Sequence, residues 1–381
     1  MRIRPDLPPD AADYRKREGV LMSKIRVGVV GATGYAGAEV IRLLAMHPEA
    51  EIVWIGSRSY ADQKFAAIYG NLYHFVDLTL INDDTAQLQQ KIVGLADQAD
   101  VIVTATPQGA CAQLVSEELL AKAKVIDLSA DFRLKDVSVY EKWYSITHKA
   151  PQFLEEAVYG LVEINRAQIP GARILANPGC YTTCSILTAY PLMEAGLIDP
   201  DTLIVDALSG VSGAGRGAKT ANLYCEVNES AKPYGVATHR HTPEIEEQLS
   251  YACGRPVTIS FTPHLVPMNR GILVTEYASL LRRPDGSLPT EGELRGVYEK
   301  RYGGERFIRL LPAGVLPETR FVEGSNYVDI ALKVDPRTGR VVMMGALDNM
   351  VKGAAGQAVQ NLNLMFGLPE ETGIAMPAMV P

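Results

Sequence analysis

The octet Asn177-Pro178-Gly179-Cys180-Tyr181-Thr182-Thr183-Cys184 sets a cysteine directly after a Pro-Gly turn, at the mouth of an apolar helix. A thiol there lies in the positive field of a helix N-terminus, with first-turn backbone N–H groups free to receive a developing oxyanion. That setting makes Cys180 a candidate nucleophile. A cysteine that merely packs a helix start has the same local sequence, so partners elsewhere must decide between the two readings. Cys184, one helical turn on, is read as packing.

Three segments offer such partners. Ser209-Gly210-Val211-Ser212-Gly213-Ala214-Gly215-Arg216 follows a strand-like run and supplies backbone N–H groups, the hydroxyls of Ser209 and Ser212, and the Arg216 guanidinium. That set suits a phosphate or carboxylate, and a mobile surface loop is the plain alternative. His239-Arg240-His241-Thr242-Pro243-Glu244 places two of the six histidines just before a helix, with Thr242 read as its N-cap and Pro243 as its first residue. Either imidazole could act as acid or base beside the thiol, while His264 reads as structural. Arg133, in Ser129-Ala130-Asp131-Phe132-Arg133, is an anion clamp or else the partner of Asp131.

The elements that must position these groups follow a recognisable rhythm. Ile25-Arg26-Val27-Gly28-Val29-Val30 reads as a strand, Gly31-Ala32-Thr33-Gly34-Tyr35-Ala36-Gly37 as a glycine loop, and 38–46 as a helix. Small residues there let backbone approach a pyrophosphate at the helix N-terminus, and Gly37 lets the helix lie close on the strand, so Gly31, Thr33, Gly34, Tyr35, Ala36 and Gly37 are candidate cofactor contacts. The next strand, 51–56, ends in Ser57-Arg58-Ser59 rather than in a carboxylate. Hydroxyls with a guanidinium suit a 2′-phosphate, which favours NADP(H) over NAD and adds Ser57 and Arg58. Strand-like runs at 101–105 and 125–128 continue the alternation, and Thr106 and Pro107 follow the first of them. The fold class is therefore α/β, a doubly wound parallel sheet of the Rossmann type. After Cys180, runs at 203–208, 256–261, 271–280, 327–334 and 340–346 with tight turns between them predict an α+β second domain on a mixed, largely antiparallel sheet. A helix is expected over 348–364, with Gly353 and Gly356 at close backbone contacts.

Composition narrows the classes. The 381 residues, 47% hydrophobic with a net charge of -7, suit a compact globular protein of two domains and disfavour nucleic acid or an anionic membrane as partner. The five cysteines show no CxxC pair and no Cys/His cluster at zinc spacing, so neither a disulfide scaffold nor a metal is expected. No apolar run approaches a membrane span or a signal peptide, which points to the cytoplasm. Residues 1–22 lack apolar periodicity and read as a disordered extension. A dinucleotide loop, a thiol, a histidine and anion loops together fit thiol-based acyl transfer coupled to hydride transfer, on a small acyl phosphate with release of phosphate.

The ordered motifs GATGYAG, DLSADFRL, NPGCY, SGVSGAGR, HRHTPEIE, TPHLVPMNRGI, GSNYVDI and LDNMVKGAAGQAVQN resemble those of the N-acetyl-γ-glutamyl-phosphate reductases of arginine biosynthesis, relatives of aspartate-semialdehyde dehydrogenase. The resemblance implies Cys180 as nucleophile, His241 or His239 as acid/base with His241 preferred, and Arg133, Gly213 and Glu244 at the substrate. It also implies Asn349 at the cofactor and a homo-oligomer, commonly a tetramer. The final helix should return to the cofactor domain, giving 23–178 plus 347–381 for that domain and 179–346 for the catalytic and oligomerisation domain. Two residues depart from the family pattern: Thr182 stands where Pro is frequent, and Leu208 where Lys is frequent, which would remove a charge near the anion loop. Aspartyl phosphate and carrier-linked aminoadipyl or glutamyl phosphate are the neighbouring substrate classes, and a non-catalytic dinucleotide-binding regulator is the reading from another class.

Overall fold

The computed structural model describes residues 23–380, so the expectation for residues 1–22 lies outside the described residues. Two sheets organise the chain. The first has six parallel strands, β1 (Ile25–Val30), β2 (Ala50–Ile55), β3 (Val101–Thr104), β4 (Lys124–Asp127), β5 (Val158–Tyr159) and β6 (Ile174–Ala176), in the order β2-β1-β3-β4-β6-β5. The reversal of direction between β1 and β3 is a topological switch point, where open α/β sheets bind ligands. Strands β3 and β4 are buried along almost their whole length, as β-branched runs covered on both faces should be. Gly28 interrupts the apolar run of β1 because the Trp54 ring occupies the space a side chain would need.

The second sheet is mixed, with β7 (Ile204–Ser209), β8 (Lys232–Pro233), β9 (Ser260–Leu265), β10 (Ile272–Ser279), β11 (Ile308–Leu310), β12 (Val328–Asp335) and β13 (Arg340–Leu347) in the order β11-β12-β13-β10-β7-β9-β8. Strand β9 begins four residues later than the expected run, and it contains Pro263 between a parallel and an antiparallel neighbour. Strand alternation assigns one face to the core: Val205, Ala207 and Ser209 point in, and Ile204, Asp206 and Leu208 point out. Leu208 therefore lies on the sheet face opposite Ser209, in register with Leu273 and His264. This corrects the expectation that it bears on the anion loop, because a one-residue step along a strand changes faces.

Helices cover the inner face. The helix that begins at the octet, Cys180–Glu194, packs on β10 and β13 and is buried nearly all round from Tyr181 to Met193, as a helix between layers must be. Helices Thr242–Cys253 and Glu291–Tyr302 flank it. Past β13, the anticipated long helix is divided: Val351–Ala355 is a π-helical turn, and the α-helix proper runs Gly356–Met365. That last helix packs against the Tyr35–Leu44 helix. Its Val359 and Leu362 share an apolar cluster with Val27, Val29 and Leu43.

Candidate active site

A cavity of about 830 Å³ opens between the carboxyl ends of the first sheet and the loop that follows β7. Four loops of the first sheet reach its wall, through residues 34–36 after β1, 105–108 after β3, 128–130 with Arg133 after β4 and 177–180 after β6. Residues 212–217 and 238–241 close the other side. The glycine loop, the cysteine, the anion loop and the histidine loop, dispersed over two hundred residues, thus share one space.

Cys180 is the first residue of its helix, with Gly179 as a cap that brings no side chain. Burial pushes the thiol up to about 11, against the pull of the Tyr181 and Cys180 backbone N–H groups and of Arg133. Desolvation thus outweighs the helix field here, and the resting group is a neutral thiol. Cys184 is buried, and all five cysteines are free.

Beneath the cavity floor, Glu244 gathers the parts. Its Oε1 accepts from the Gly179 N–H (3.0 Å), the Tyr159 hydroxyl (2.8 Å) and the Thr182 hydroxyl (2.8 Å). Its Oε2 pairs with Arg133 Nη1 at 3.2 Å. Glu244 is buried and absent from the cavity wall, so this carboxylate, implied at the substrate, is spent on holding other groups. Arg133 does line the cavity, with Nε donating to Asn177 O (2.8 Å) and Nη2 to Leu128 O (3.0 Å), which leaves the second N–H of each Nη available to a ligand. Its carboxylate partner is Glu244, not Asp131. Asp131 instead accepts the Gly109 and Ala112 N–H groups at 2.7 and 3.0 Å and the Tyr140 hydroxyl at 2.7 Å, fixing the loop that carries Thr106 and Pro107.

The two histidines occupy different surroundings. His239 packs edge-on against Tyr181, Tyr234 and Phe261, and its Nδ1 accepts the His241 N–H at 3.1 Å. That bond closes a turn, so His241 is the N-cap and Thr242 the first helical residue, one position away from the expected cap. Burial and Arg240 hold His239 down at about 4. His241 Nε2 reaches over Gly179, where a Cβ would stand 2.5 Å from it and 2.9 Å from Arg133 Nη1, so only glycine fits between them. Its Nδ1 meets no hydrogen-bond partner among the described residues. Burial, His239, Arg133 and Arg240 together hold this imidazole well below its usual value, hence neutral.

On the glycine-loop side, Gly31 has φ 77° with backbone of Ala105 where a Cβ would be, and Gly37 meets Gly31 O in the same way. Gly34, Tyr35, Ala36, Thr106 and Pro107 line the cavity. Gly31, Thr33, Gly37 and Ser57 stand behind that wall and shape it, with Thr33 Oγ1 and Ser57 Oγ 2.7 Å apart. Arg58 is exposed at the end of β2. Sequence reasoning missed Asp83, whose Oδ2 accepts the Gly31 N–H at 2.7 Å. The short run 78–81 that returns to β2 was the available signal for it. Arg216, grouped with the substrate loop by sequence, crosses to the cofactor side: it donates to Thr33 O (3.0 Å) and lies over the Tyr60 and Tyr69 rings, 5.2 Å from each centroid. Asn349 lines the cavity, yet its amide donates to Ser212 Oγ (2.9 Å) and accepts from Gly271 N–H (2.8 Å). Ser209 donates to Gly210 O at 3.0 Å, beside Gly213.

Comparison with known proteins gives the family. The family description "Semialdehyde dehydrogenase, NAD binding domain" matches residues 26–172, and "Semialdehyde dehydrogenase, dimerisation domain" matches residues 180–349. The N-acetyl-gamma-glutamyl-phosphate reductase of Lachnospira eligens is 62% identical over 359 residues, 94% of this chain and 100% of the relative. The namesake from Lachnoclostridium phytofermentans is 56% identical over 357 residues, with the same two shares. In fold, the chain is similar to aspartate semialdehyde dehydrogenase II of Vibrio cholerae, with a TM-score of 0.66 at 15% identity over 91% of this chain and 99% of that one. The Candida albicans enzyme with NADP gives 0.60 at 18% identity over 90% and 99%. The chain belongs to the N-acetyl-gamma-glutamyl-phosphate reductase family, oxidoreductases of the semialdehyde dehydrogenase type.

Proposed function

We propose that the protein reduces N-acetyl-γ-glutamyl phosphate to N-acetylglutamate semialdehyde with NADPH, releasing phosphate by way of a thioester on Cys180, as a step of arginine biosynthesis. The observation that carries this reading is the meeting of Cys180, His241 and Arg133 around Gly179 in the cavity that the glycine loop also enters.

The chain's groups have these roles. His241, a neutral base, takes the Sγ proton as sulphur bonds to the acyl carbon. The carbon–oxygen bond to phosphate breaks, and phosphate leaves with the electron pair. Arg133, fixed by Glu244, Asn177 and Leu128, presents its guanidinium to the substrate anion, and the loop of Ser209, Ser212 and Gly213 faces it. First-turn N–H groups at Cys180 and Tyr181 receive the charge that develops on the carbonyl oxygen. NADPH, when bound, supplies the hydride that reduces the thioester carbon. Collapse then breaks the carbon–sulphur bond, releasing aldehyde, and His241 returns a proton to sulphur. His239, caged by aromatic rings with its Nδ1 engaged, orients His241.

The dinucleotide fit rests on the Gly31 cradle, the first-turn N–H groups of Tyr35 and Ala36, and the Ser57-Arg58 end of β2, which we assign to a 2′-phosphate. Asp83 accepts the Gly31 N–H and so braces the glycine loop from behind. We assign residues 23–178 with 347–381 to cofactor binding and 179–346 to catalysis and assembly, in a cytoplasmic homo-oligomer, a tetramer. No helix among the described residues is long and apolar enough to cross a membrane. The test is the reverse reaction, NADPH formation from aldehyde, phosphate and NADP⁺. N-acetylglutamate semialdehyde should be the preferred aldehyde, and activity with aspartate semialdehyde alone would overturn the assignment.

A further inference from the structure

The wall behind Cys180 is built on a buried ion pair that the reaction above does not use. Lys352 and Glu163 are both fully buried, with Nζ 2.6 Å from Oε1. Lys352 Nζ also donates to Gln360 Oε1 at 2.8 Å, and the Gln360 amide nitrogen reaches Glu163 Oε1 (3.3 Å) and Glu370 Oε2 (2.7 Å). Asn326 donates to the same Gln360 oxygen at 3.0 Å, and the ammonium lies 5.9 Å from the Phe307 ring centroid. Each partner of Lys352 comes from a different segment, so its direction is fixed from several sides.

Lys352 belongs to the π-turn Val351–Ala355, in which Gly353 N–H bonds to Asp348 O and Ala355 N–H to Met350 O, both at 2.9 Å. Such turns are rare and concentrate at functional sites. Lys352 is absent from the cavity wall, while Met350, Gly353 and Ala354 line it. Gly353 lies directly on the nucleophile, where an added Cβ would stand 2.7 Å from Cys180 Cβ and 3.1 Å from its Cα. Ala354 O accepts the Asn177 amide at 3.0 Å, so the turn also holds the loop that delivers the cysteine, and Asn361 of the following helix donates to Asn177 Oδ1 at 3.3 Å. A buried pair is a poor source of stability compared with apolar side chains of like size, and its return is in defined geometry.

From this arrangement we infer that Lys352 and Glu163 are positioning residues for Cys180. The pair sets the rotation of the π-turn, and the turn sets where the thiol stands relative to His241 and Arg133. The inference rests on the assignment of Cys180 as nucleophile. If the pair is removed, the thiol is displaced from the position that productive attack needs, while the glycine loop stays in place.

The experiment compares the full-length wild-type enzyme with Lys352→Met, Glu163→Gln, the charge-keeping double variant Lys352→Arg with Glu163→Asp, and Gly353→Ala. Three readouts are taken: kcat and KM in the reverse direction, the pH profile of Cys180 alkylation by iodoacetamide, and circular dichroism. For Lys352→Met, Glu163→Gln and Gly353→Ala we expect kcat to fall about a hundredfold, the loss typical of misplacement by an ångström, with KM for NADP⁺ little changed. The alkylation profile should shift in the same variants, and the charge-keeping double should regain most of kcat. A folded Lys352→Met with wild-type kcat and an unshifted profile would overturn the inference. Should Lys352→Met not fold, Gly353→Ala decides, because it displaces the same contact without leaving a buried charge; full activity there overturns the inference equally. Failure of iodoacetamide to inactivate the wild type at every pH up to about 11 would instead overturn the role of Cys180 itself, whatever the variants do.

Discussion

Replacing Thr182 measures how much its buried hydroxyl contributes to the site. The Thr182 hydroxyl is fully buried and stands 2.7 Å from Gly179 O and 2.8 Å from Glu244 Oε1. Thr182→Val keeps the shape and removes the donor. A hydrogen bond to a charged acceptor contributes about 1.5–3 kcal/mol. Glu244 Oε1 keeps the Gly179 N–H and the Tyr159 hydroxyl, so the acceptor is not orphaned and the loss falls at the low end, about 1.5 kcal/mol. Thr182→Pro removes the same donor, but at the third helical position no intrahelical bond is broken. The stiffer unfolded chain returns about 0.4–1 kcal/mol, leaving a net loss of about 0.5–1 kcal/mol. Equilibrium urea unfolding at one fixed protomer concentration should therefore rank wild type above Thr182→Pro above Thr182→Val. Arg133 stays held on Oε2 in both, so kcat should stay within about tenfold of wild type, a barrier change near 1.4 kcal/mol. A Val variant as stable as wild type, or a Pro variant less stable than the Val one, would refute the hub described for Glu244.

Other outcomes follow from the same geometry. Glu244→Gln faces donors with a donor and strands the Arg133 charge, so unfolding free energy should drop by about 3–5 kcal/mol in urea titration, with a far larger kcat loss than either Thr182 variant. His241→Gln should lower kcat about 10²–10⁴-fold in steady-state assays, and His239→Gln less, since only the former removes the base over Gly179. In the ligand-free protein, iodoacetamide labelling of Cys180 should stay slow near neutrality and rise towards pH of about 11, followed by mass spectrometry; a plateau below the ordinary thiol range would contradict the burial argument. The native state holds His239 neutral, with its value lowered from 6.5 to about 4, so its contribution to stability is complete above the unfolded value and is lost as pH falls through that window. His239→Phe should flatten the acid limb of a stability-against-pH curve. Arg58→Ala should raise KM for NADPH about tenfold or more and leave KM for NADH unmoved.

What the sequence made legible was whatever is contiguous in it. The strand, glycine loop and helix of residues 25–44, the cysteine at a helix mouth, and the histidine loop each carry their signal within one short continuous stretch. The Glu244 hub does not, because Arg133 joins it from 111 residues away and Tyr159 from 85. Asp83 was invisible for the same reason: it reaches Gly31 across 52 residues, from a segment with only a short apolar run to mark it. Leu208 was misplaced because the motif was read as a string, whereas a strand assigns alternate residues to opposite faces. The π-turn defeats periodicity altogether, since one added residue shifts the phase of everything before Gly356.

The return of the last helix to the first sheet bears on how the chain is made. Val351, Ala355, Val359 and Leu362 complete a cluster begun by Val27 and Val29, so the two halves of one core leave the ribosome at opposite ends of synthesis. At about 5–20 residues per second, the earlier half waits roughly 15–60 s for its complement. During that wait the face of the nascent sheet destined for the Gly356–Met365 helix stays uncovered, and a chain that terminates early never covers it. A permuted gene that starts with the final helix should therefore shorten the time that this apolar face stays uncovered, which limited proteolysis of stalled nascent chains would show.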